Sequence, residues 1–373
     1  MSKRVVVAGH ICIDITPVFL NDKIKNVMEV FKPGKLIEMG EAKVSTGGAV
    51  ANTGLAMKYF GANVTLMGKI GCDEFGDLIC TILDKYDAGD DMIRSENVTT
   101  SYSVVIAIPG VDRMFLHNPG ANSNFYSEDI DYNIVKESAL FHFGYPTIME
   151  SMYENNGEEL LTLFKKVNET GCATSLDLSS VDPDSKAGKV DWENILSQVI
   201  PYVDFFVPSV EELCFMLDKE KFSEWQNRAA ADDITSVLDI DSDVKPLADK
   251  CIQMGAKVVL IKCGARGMYL HTGDSNSIGS IGNNLKLDVT EWSDKSIFEK
   301  AYMPEKVLSA TGAGDTAIAA FLTGVINNEN PNECLRLAAA TGACCVEAYD
   351  ALSGLKTFEE LKRRIGNGWK QVL

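Results

Sequence analysis

The strongest constraint on the fold is a regular alternation between short apolar runs and longer stretches with helical spacing. The run "RVVVAGHICID" at 4–14 is rich in β-branched residues, as expected for a first strand that is buried on both faces. Further apolar runs of strand length follow, and helical stretches such as "GEELLTLFKKVNETG" separate them. Strands and helices that alternate in this way form β-α-β units. We therefore predict an α/β fold with a mostly parallel sheet and helices on both faces.

Other stretches interrupt this alternation. Residues 16–46 contain no helix of useful length and end in a segment that could form two short strands, and residues 101–117 are typical of a hairpin. We expect these two stretches to form a small separate sheet. Residues 218–245 are polar and acidic, and residues 272–303 are rich in Ser, Asn, Gly and Asp. Such composition indicates surface insertions, to which the sequence assigns no role.

Charge and cysteine content exclude several functional classes. A formal net charge of −18 argues against a surface that binds nucleic acid or an anionic membrane. The ten cysteines are scattered without a C-x-x-C pair, which indicates reduced thiols rather than a disulfide framework or a zinc site. The basic start shows no cleavage site of a signal peptide, and no apolar stretch has the length of a membrane span. We expect a cytoplasmic protein that binds neither nucleic acid nor a membrane.

The stretch "SATGAGDTAIAAF" at 309–321 places small residues and one acid where a loop enters an alanine-rich helix, which we expect to begin at about Asp315. A helix N-terminus offers unpaired N–H groups to an anion, and Gly312, Ala313 and Gly314 keep bulky side chains away from it. The Asp315 carboxylate could take a proton from a hydroxyl while the amides hold a phosphoryl group. A plain helix cap is the alternative, because Asp is a favoured N-cap residue. The stretch is not a nucleotide P-loop, since no G-K-[ST] follows.

A second group of small and polar residues lies near the start of the chain. Asp14 ends the first predicted strand, and open parallel sheets bind ligands at the carboxyl ends of their strands. A carboxylate there could accept hydrogen bonds from a polyol, and Gly47 and Gly48 would let a sugar approach the backbone. Asn52 adds a donor and an acceptor on the next helix. Taken singly, each of these residues is as well explained by a cap or a turn.

In their order along the chain, these motifs resemble those of the ribokinase-like (phosphofructokinase-B) family of carbohydrate kinases. The resemblance covers about residues 4–365 and rests on Asp14, "GGAVAN" (47–52), "GAN" (120–122), "VPSVEEL" (207–213), "KCGARG" (262–267) and "TGAGD" (311–315). It implies a three-layer αβα sandwich, with one kinase domain over 1–373 and a small β-sheet lid built from about 16–46 and 99–118. In the family this lid closes over the sugar and in some members pairs subunits, so a homodimer through the lid is one expectation.

The resemblance also implies a role for each matching residue. These roles are the catalytic base for Asp315; the anion hole for Gly312, Ala313 and Gly314; sugar binding for Asp14, Gly47, Gly48 and Asn52; ATP contact for Lys262, Gly264 and Gly267; and Mg²⁺ binding through water for Glu212. Arg113, in the hairpin, is expected either to reach the substrate or to be a solvated charge of the lid. ATP and Mg²⁺ are the implied cofactors, and a monovalent cation such as K⁺ beside the anion hole is a further expectation.

The chain departs from the family pattern on the metal side. Ser209 stands where the Asn-x-x-Glu motif has asparagine, and Ser309 begins a triad that usually begins with aspartate. Asp177 is followed by Ser179 where the family often has asparagine, and no arginine follows. Serine lacks the amide group, so the network around magnesium and phosphate is expected to differ.

We interpret the chain as an ATP-dependent kinase that phosphorylates a primary hydroxyl of a small sugar or sugar-like substrate. A nucleoside kinase on the same fold is the alternative enzyme, although no aromatic clamp is evident among the acceptor motifs. A catalytically silent binding or regulatory protein is the alternative outside enzymes, with Ser209 as its best support. The four histidines lack metal-ligand spacing and are interpreted as satisfied structural residues, and "GYP" (144–146) as a strand-end turn.

Overall fold

The structure is a computed structural model, which describes residues 3–20, 32–108, 114–230 and 232–372. Its strands are, in chain order, β1 (Arg4–Gly9), β2 (Cys12–Thr16), β3 (Lys43–Gly47), β4 (Asn63–Gly71), β5 (Ile93–Ser95), β6 (Tyr102–Ile106), β7 (Met114–Asn118), β8 (Leu140–Gly144), β9 (Ala173–Asp177), β10 (Phe205–Phe206), β11 (Val258–Lys262), β12 (Gly267–Thr272) and β13 (Ser296–Lys300).

The α-helices connect and cover these strands. They are α1 (Ala49–Tyr59), α2 (Glu74–Asp84), α3 (Tyr132–Lys136), α4 (Glu150–Tyr153), α5 (Glu158–Glu169), α6 (Trp192–Val199), α7 (Val210–Leu217), α8 (Lys219–Ala229), α9 (Lys245–Gln253), α10 (Ser275–Gly279), α11 (Val289–Trp292), α12 (Ala313–Ile326), α13 (Pro331–Cys345) and α14 (Phe358–Gly366). Across the described ranges, none of these helices combines the length and the apolar character that crossing a membrane requires.

Within the described residues, nine strands form a large sheet in the order β13-β12-β11-β10-β9-β8-β1-β4-β5. The pairs from β11 through to β5 are parallel, whereas β12 pairs antiparallel with both β11 and β13. Alternate side chains of a strand face opposite sides of the sheet. Val5 and Val7 accordingly pack in a core with α1 and α12, while Val6 and Ala8 pack in a second core with α5 and α6. The mostly parallel sheet with helices on both faces is therefore confirmed.

The first apolar run forms two strands rather than one. Gly9 adopts a φ of +119°, and a side chain there would collide with the backbone of Gly144. His10 N–H then donates to the Gly144 carbonyl at 3.2 Å, and Ile13 N–H donates to the Ser101 carbonyl at 3.0 Å. The chain thus leaves the large sheet after β1, and β2 joins another sheet. The prediction that Asp14 ends the first strand of the parallel sheet is wrong, because Asp14 lies within β2.

The small sheet contains, among the described residues, four strands in the order β3-β2-β6-β7. The predicted hairpin is confirmed, since β6 and β7 pair antiparallel. The described part of 16–46 provides β3 and one isolated bridge between Phe19 and Met39, rather than two strands. Residues 21–31 lie outside the described ranges.

The two stretches interpreted as surface insertions carry buried structure. Within 272–303, β13 extends the large sheet, and Trp292 packs on Phe205 and Phe321 with ring centroids 6.4 and 6.0 Å away. Within 218–245, α8 buries Trp225. The interpretation as surface insertions is therefore wrong at these positions. A few buried aromatic side chains anchor segments whose composition is otherwise polar.

Candidate active site

A cleft of about 1350 Å³ is lined both by the carboxyl-terminal ends of the parallel strands and by the small sheet. The ends of β1, β8, β9 and β11 contribute His10, Tyr145, Asp177 and Lys262. This is the edge at which open parallel sheets bind ligands. The cleft brings together, from across the chain, most of the residues singled out in the sequence: Asp14, Gly48, Asn52, Glu212, Lys262, Gly264, Gly267, Gly312, Ala313, Gly314 and Asp315.

The helix α12 begins two residues earlier than expected, and its N-terminus faces this cleft. Gly312 is its N-cap residue, with a left-handed φ of 74°, and a side chain at Gly312 would overlap Ala351. Amides of the first helical turn are not used by the helix itself. The Ala313 amide donates to the Ala310 carbonyl at 3.3 Å, so this member of the predicted anion hole already has a partner.

Asp315 is buried, and both of its carboxylate oxygens accept a hydrogen bond. Asn52 Nδ2 donates to Oδ2 at 3.0 Å, and the Tyr145 hydroxyl donates to Oδ1 at 2.6 Å. Asn52, predicted to bind the sugar, therefore contacts the predicted base directly. Two donors to one carboxylate fix its orientation.

Sequence reasoning missed Tyr145. The "GYP" stretch does turn the chain at the end of β8, as interpreted, but Tyr145 adopts φ 70° and ψ 40°, a conformation rare for a bulky residue. This turn carries its phenol into the cleft. Desolvation raises the pKa of Tyr145 well above its usual value, and the charges of Asp315 and Asp177 raise it further. Its position directly after a parallel strand is the one signal that the sequence offered.

The Asp14 side chain extends from the small sheet into the cleft. Gly47 leaves room for the Asp14 carboxylate, and Gly48 leaves room for His10. A side chain at Gly47 would collide with the Asp14 carboxylate, and one at Gly48, where φ is +86°, would meet His10. Cys12 Sγ donates to Asp14 Oδ1 at 3.4 Å. Both glycines are thus needed for packing, and Gly48 also lines the cleft.

His10 contradicts the interpretation of the histidines as satisfied structural residues. Its side chain is buried, with only 2% of the residue exposed, and neither ring nitrogen has a hydrogen-bond partner within the described residues. Burial holds the pKa of His10 well below its usual range, and His117 lowers it further, so the ring is neutral at physiological pH. The rings of His10 and His117 lie 5.2 Å apart.

Lys262 lies on the opposite side of the cleft, paired with an acid. Its Nζ contacts Asp177 Oδ1 at 2.7 Å, and a side chain at Gly314 would come within 3.7 Å of the same Nζ. Burial raises the pKa of Asp177 to about 8, with Lys262 acting against this rise. Burial alone would lower the pKa of Lys262, but Asp177 and Glu212 outweigh it and raise that pKa. A retained positive charge therefore lies beside the α12 N-terminus.

A family model described as pfkB family carbohydrate kinase matches residues 2–357. This chain belongs to that family. An uncharacterised sugar kinase of Archaeoglobus fulgidus is 26% identical over 302 residues, which cover 81% of this chain and 98% of that protein. Fructokinase-2 of Zea mays is 24% identical over 332 residues, which cover 86% of this chain and 85% of that protein. Members of the family are phosphotransferases, so the chain is a carbohydrate kinase by descent.

Solved structures share the ribokinase-like fold. Arabidopsis thaliana ribokinase, complexed with ribose and ATP, superposes with a TM-score of 0.70 at 20% identity and covers 97% of this chain and 98% of its own. A provisionally assigned ribokinase II of E. coli, complexed with ATP and Mg²⁺, gives a TM-score of 0.69 at 19% identity, covering 98% of this chain and 100% of its own. The predicted fold class is confirmed.

Ser209, which stands where the family motif has asparagine, caps a helix in this structure. The Ser209 hydroxyl accepts from the Glu212 amide at 3.2 Å, and the Glu212 carboxylate accepts from the Ser209 amide at 2.8 Å. This reciprocal capping box begins α7. Glu212 therefore caps a helix and also lines the cleft. Burial raises the pKa of neighbouring Glu211 to about 7, with Asp233 and Glu212 adding to the rise.

Of the remaining predicted residues, Gly264 and Gly267 line the cleft, whereas Arg113 lies outside the described residues. Gly264 has a φ of +54°, and a side chain there would collide with Thr235. Gly267 has a φ of +129°, and a side chain there would collide with the backbone of Glu299, so the local structure requires glycine at both positions. The predicted contact of Arg113 with substrate remains a prediction. No group of three or more acids, histidines or cysteines within the described ranges is arranged to hold a metal by itself.

Proposed function

We propose that this protein transfers the γ-phosphoryl group of ATP to a primary hydroxyl of a small sugar or sugar-like acceptor. The observation that carries the proposal is that Asp315, Asp14 and Lys262 line one cleft at the carboxyl edge of the sheet. They supply, in turn, a base, a group that accepts hydrogen bonds from a polyol, and a positive charge for phosphate. Phosphoryl transfer depends mainly on positioning and on electrostatic stabilisation, and these three groups meet both needs.

Asp315 is the proposed general base. Its carboxylate takes the proton of the acceptor hydroxyl, and the oxygen then attacks the phosphoryl group in line. The bonds from Asn52 and Tyr145 hold the carboxylate in place. Carboxylate lone pairs outnumber these two donors, so the base can still accept the proton of a bound hydroxyl.

Negative charge that builds up on the transferring group is met by the α12 N-terminus and by Lys262. The amides of Gly312 and Gly314 lie at the positive end of this helix. The Ala313 amide can join them once its 3.3 Å hydrogen bond to the Ala310 carbonyl is broken. Lys262 lies beside Gly314. These residues form the proposed anion hole.

The residues present fit ATP and Mg²⁺, which structural neighbours contain. Small and apolar side chains, suited to a planar base, line one part of the cleft: Ala301, Ala339, Ala343, Val346 and Val372. Asp177 and Glu211 are acids whose pKa values burial raises to about 8 and about 7, a surplus of buried carboxyl groups that a divalent cation would relieve. Together with Glu212 they would hold Mg²⁺ through water and nucleotide oxygens. Bound Mg²⁺ supplies neutralisation of phosphate charge, and a monovalent cation beside the anion hole remains part of the proposal.

A nucleoside acceptor is the second candidate, and one observation favours it. Phe115 and His117 of the small sheet line the cleft together with His10, which forms an aromatic wall that the sequence motifs did not show. Such rings could stack on a base as well as on a sugar face. A catalytically silent protein is less well supported, because the Ser209 departure has a capping role and leaves Asp315 and Lys262 in place.

A homodimer through the small sheet is a further proposal. Its edge strands β3 and β7 expose apolar side chains, among them Val44, Phe115 and Leu116 at 46%, 52% and 61%. Exposed apolar edge strands favour pairing with another copy. Light scattering that reports a monomer of 40.7 kDa at micromolar concentration would contradict it. With ATP as cosubstrate, we expect the protein to act in the cytoplasm.

The proposed function is tested by a thermal-shift panel of neutral sugars and nucleosides, with and without ATP and Mg²⁺, followed by an ADP-release assay. We expect a sugar to stabilise the protein and to be phosphorylated. Asp315→Asn should lower kcat about 10²–10⁴-fold, the usual contribution of a general base. Asp90→Asn, an exposed aspartate in a turn, serves as the control and should leave kcat unchanged. Near-wild-type turnover of Asp315→Asn would rule out this mechanism.

A further inference from the structure

His10 is a polar group of the cleft that makes no side-chain hydrogen bond within the described residues. It lies in the two-residue connection between β1 and β2, where the chain passes from the large sheet to the small sheet. Its ring is buried, and both Nδ1 and Nε2 lack a hydrogen-bond partner among the described residues. Buried polar atoms are normally paired, so this pair of nitrogens needs an explanation.

His142 differs from His10 in two respects. It is also fully buried, on β8, and its Nε2 likewise has no hydrogen-bond partner within the described residues, but its Nδ1 is bonded to Ser175 Oγ at 2.9 Å. His142 does not belong to the cleft lining, whereas His10 does. Gly48 packs closely against His10 Nδ1, because a Cβ on Gly48 would lie 2.6 Å from that nitrogen, and Gly48 also lines the cleft.

The small sheet presents a row of polar side chains to the same space. Cross-strand neighbours share a face of a sheet, and the register pairs Asp14 with Ser103 and Ser103 with His117. All three line the cleft. His117 Nδ1 is already bonded to Ser103 Oγ at 3.0 Å, so His117 has less capacity left than His10. Asp14 accepts hydrogen bonds only, as a carboxylate does.

The neutral imidazole of His10 adds a further donor and a further acceptor to this row. One ring nitrogen donates a hydrogen bond and the other accepts one, so a single neutral histidine can engage two hydroxyl groups in opposite senses. Tyr145, whose ring lies 6.1 Å from that of His10, binds the proposed base Asp315. His10 therefore lies next to His117 of the small sheet and next to Tyr145, which contacts Asp315.

We infer that His10 is a specificity-determining residue that hydrogen-bonds the hydroxyl groups of an uncharged polyol acceptor, with His117 packed against it. This inference rests on the proposed function and names the acceptor groups that it recognises. A site that pairs with a substrate hydroxyl discriminates against analogues that lack or invert it, because its own buried groups are then left unpaired.

Kinetics on His10→Phe and His10→Asn test the inference. The panel is D-ribose, D-fructose, their epimers, and single-deoxy analogues of the best substrate. We expect His10→Phe to lower kcat/KM about 10- to 100-fold and to abolish the discrimination against one deoxy analogue, as in a double-mutant cycle. His10→Asn, which keeps a donor and an acceptor, should recover part of the loss. His142→Asn, which can keep the bond to Ser175, is the matched control and should leave kcat/KM unchanged.

A second readout does not depend on turnover. The chain has four histidines, so a ¹⁵N-labelled sample gives four imidazole signal sets in a long-range ¹H–¹⁵N correlation spectrum. The best sugar of the panel, added at saturation, should shift the His10 signals and leave those of His142 unchanged. Loss of the His10 signals in His10→Phe assigns them.

The outcomes separate this inference from the proposed function. If Asp315→Asn abolishes turnover of a sugar but His10→Phe keeps its epimer and deoxy ratios within about twofold of wild type, the proposed function stands and this inference is overturned. Saturation by that sugar without a shift at His10 also overturns it. If the wild type phosphorylates no member of the panel, the proposed function fails and the inference fails with it.

Discussion

The proposed phosphoryl end of the cleft, formed by Lys262, Asp177 and the N-terminus of α12, contrasts with the proposed acceptor end, formed by His10, Asp14 and the small sheet. At the phosphoryl end, Lys262 is paired with Asp177, and both oxygens of neighbouring Asp315 accept hydrogen bonds. At the acceptor end, neither ring nitrogen of His10 has a hydrogen-bond partner within the described residues. We infer that the first end is organised in advance for a group common to every substrate. The second leaves hydrogen bonds to be completed by the acceptor.

The largest effect after loss of the base is expected from Lys262. Lys262→Met removes the charge beside the anion hole, and we expect kcat to fall about 10²–10³-fold. Lys257 offers a matched control, because it forms a second buried ion pair, with Asp204 at 2.8 Å, and it does not line the cleft. Both variants remove a buried charged group, and both are expected to lower the free energy of unfolding, measured by urea denaturation. Equal losses of kcat in both variants would show that the phosphoryl end has no special role.

A smaller effect is expected at Tyr145, which joins the two ends. Tyr145→Phe removes one donor from the Asp315 carboxylate, so we expect kcat to fall about 10-fold. Tyr132→Phe, which loses a phenol bond to the Ser127 carbonyl away from the cleft, is the control. A kcat of Tyr145→Phe that stays within about twofold of the Tyr132→Phe value would indicate that Tyr145 acts only in packing.

The smallest effect is a pair of opposite pH dependences of stability. Asp177 has its pKa raised to about 8, so its contribution to stability is present below about pH 4 and is lost as the pH rises towards 8. His10 has a lowered pKa, so its contribution is present above about pH 6.5 and is lost as the pH falls. Urea denaturation between about pH 5 and 8 should show that Asp177→Asn makes the pH slope more positive.

The same series should show that His10→Phe makes the slope more negative, each variant by at most about 1.4 kcal/mol per pH unit. Changes of the same sign in both variants would contradict the contrast between the two ends.

Much of the fold followed from the sequence, because short-range patterns fix it. Apolar runs that alternate with amphipathic stretches require a covered parallel sheet, and the hairpin at β6 and β7 followed from its period of two. The errors have local causes. A glycine with positive φ divided the first run and moved Asp14 into the small sheet, and buried tryptophans anchored two segments that look polar. A count of polar residues does not reveal a single buried side chain.

The sequence by itself determined the N-terminus of α12, since a glycine-capped helix N-terminus followed by aspartate is one contiguous stretch with its own electrostatics. Tertiary structure alone decided how that aspartate is held and what faces the acceptor. Asn52 and Tyr145 reach Asp315 across 263 and 170 residues of chain, and His10 meets His117 only because two sheets converge. Local sequence sets the conformation of a backbone segment, whereas contacts between distant segments depend on how all the layers pack together.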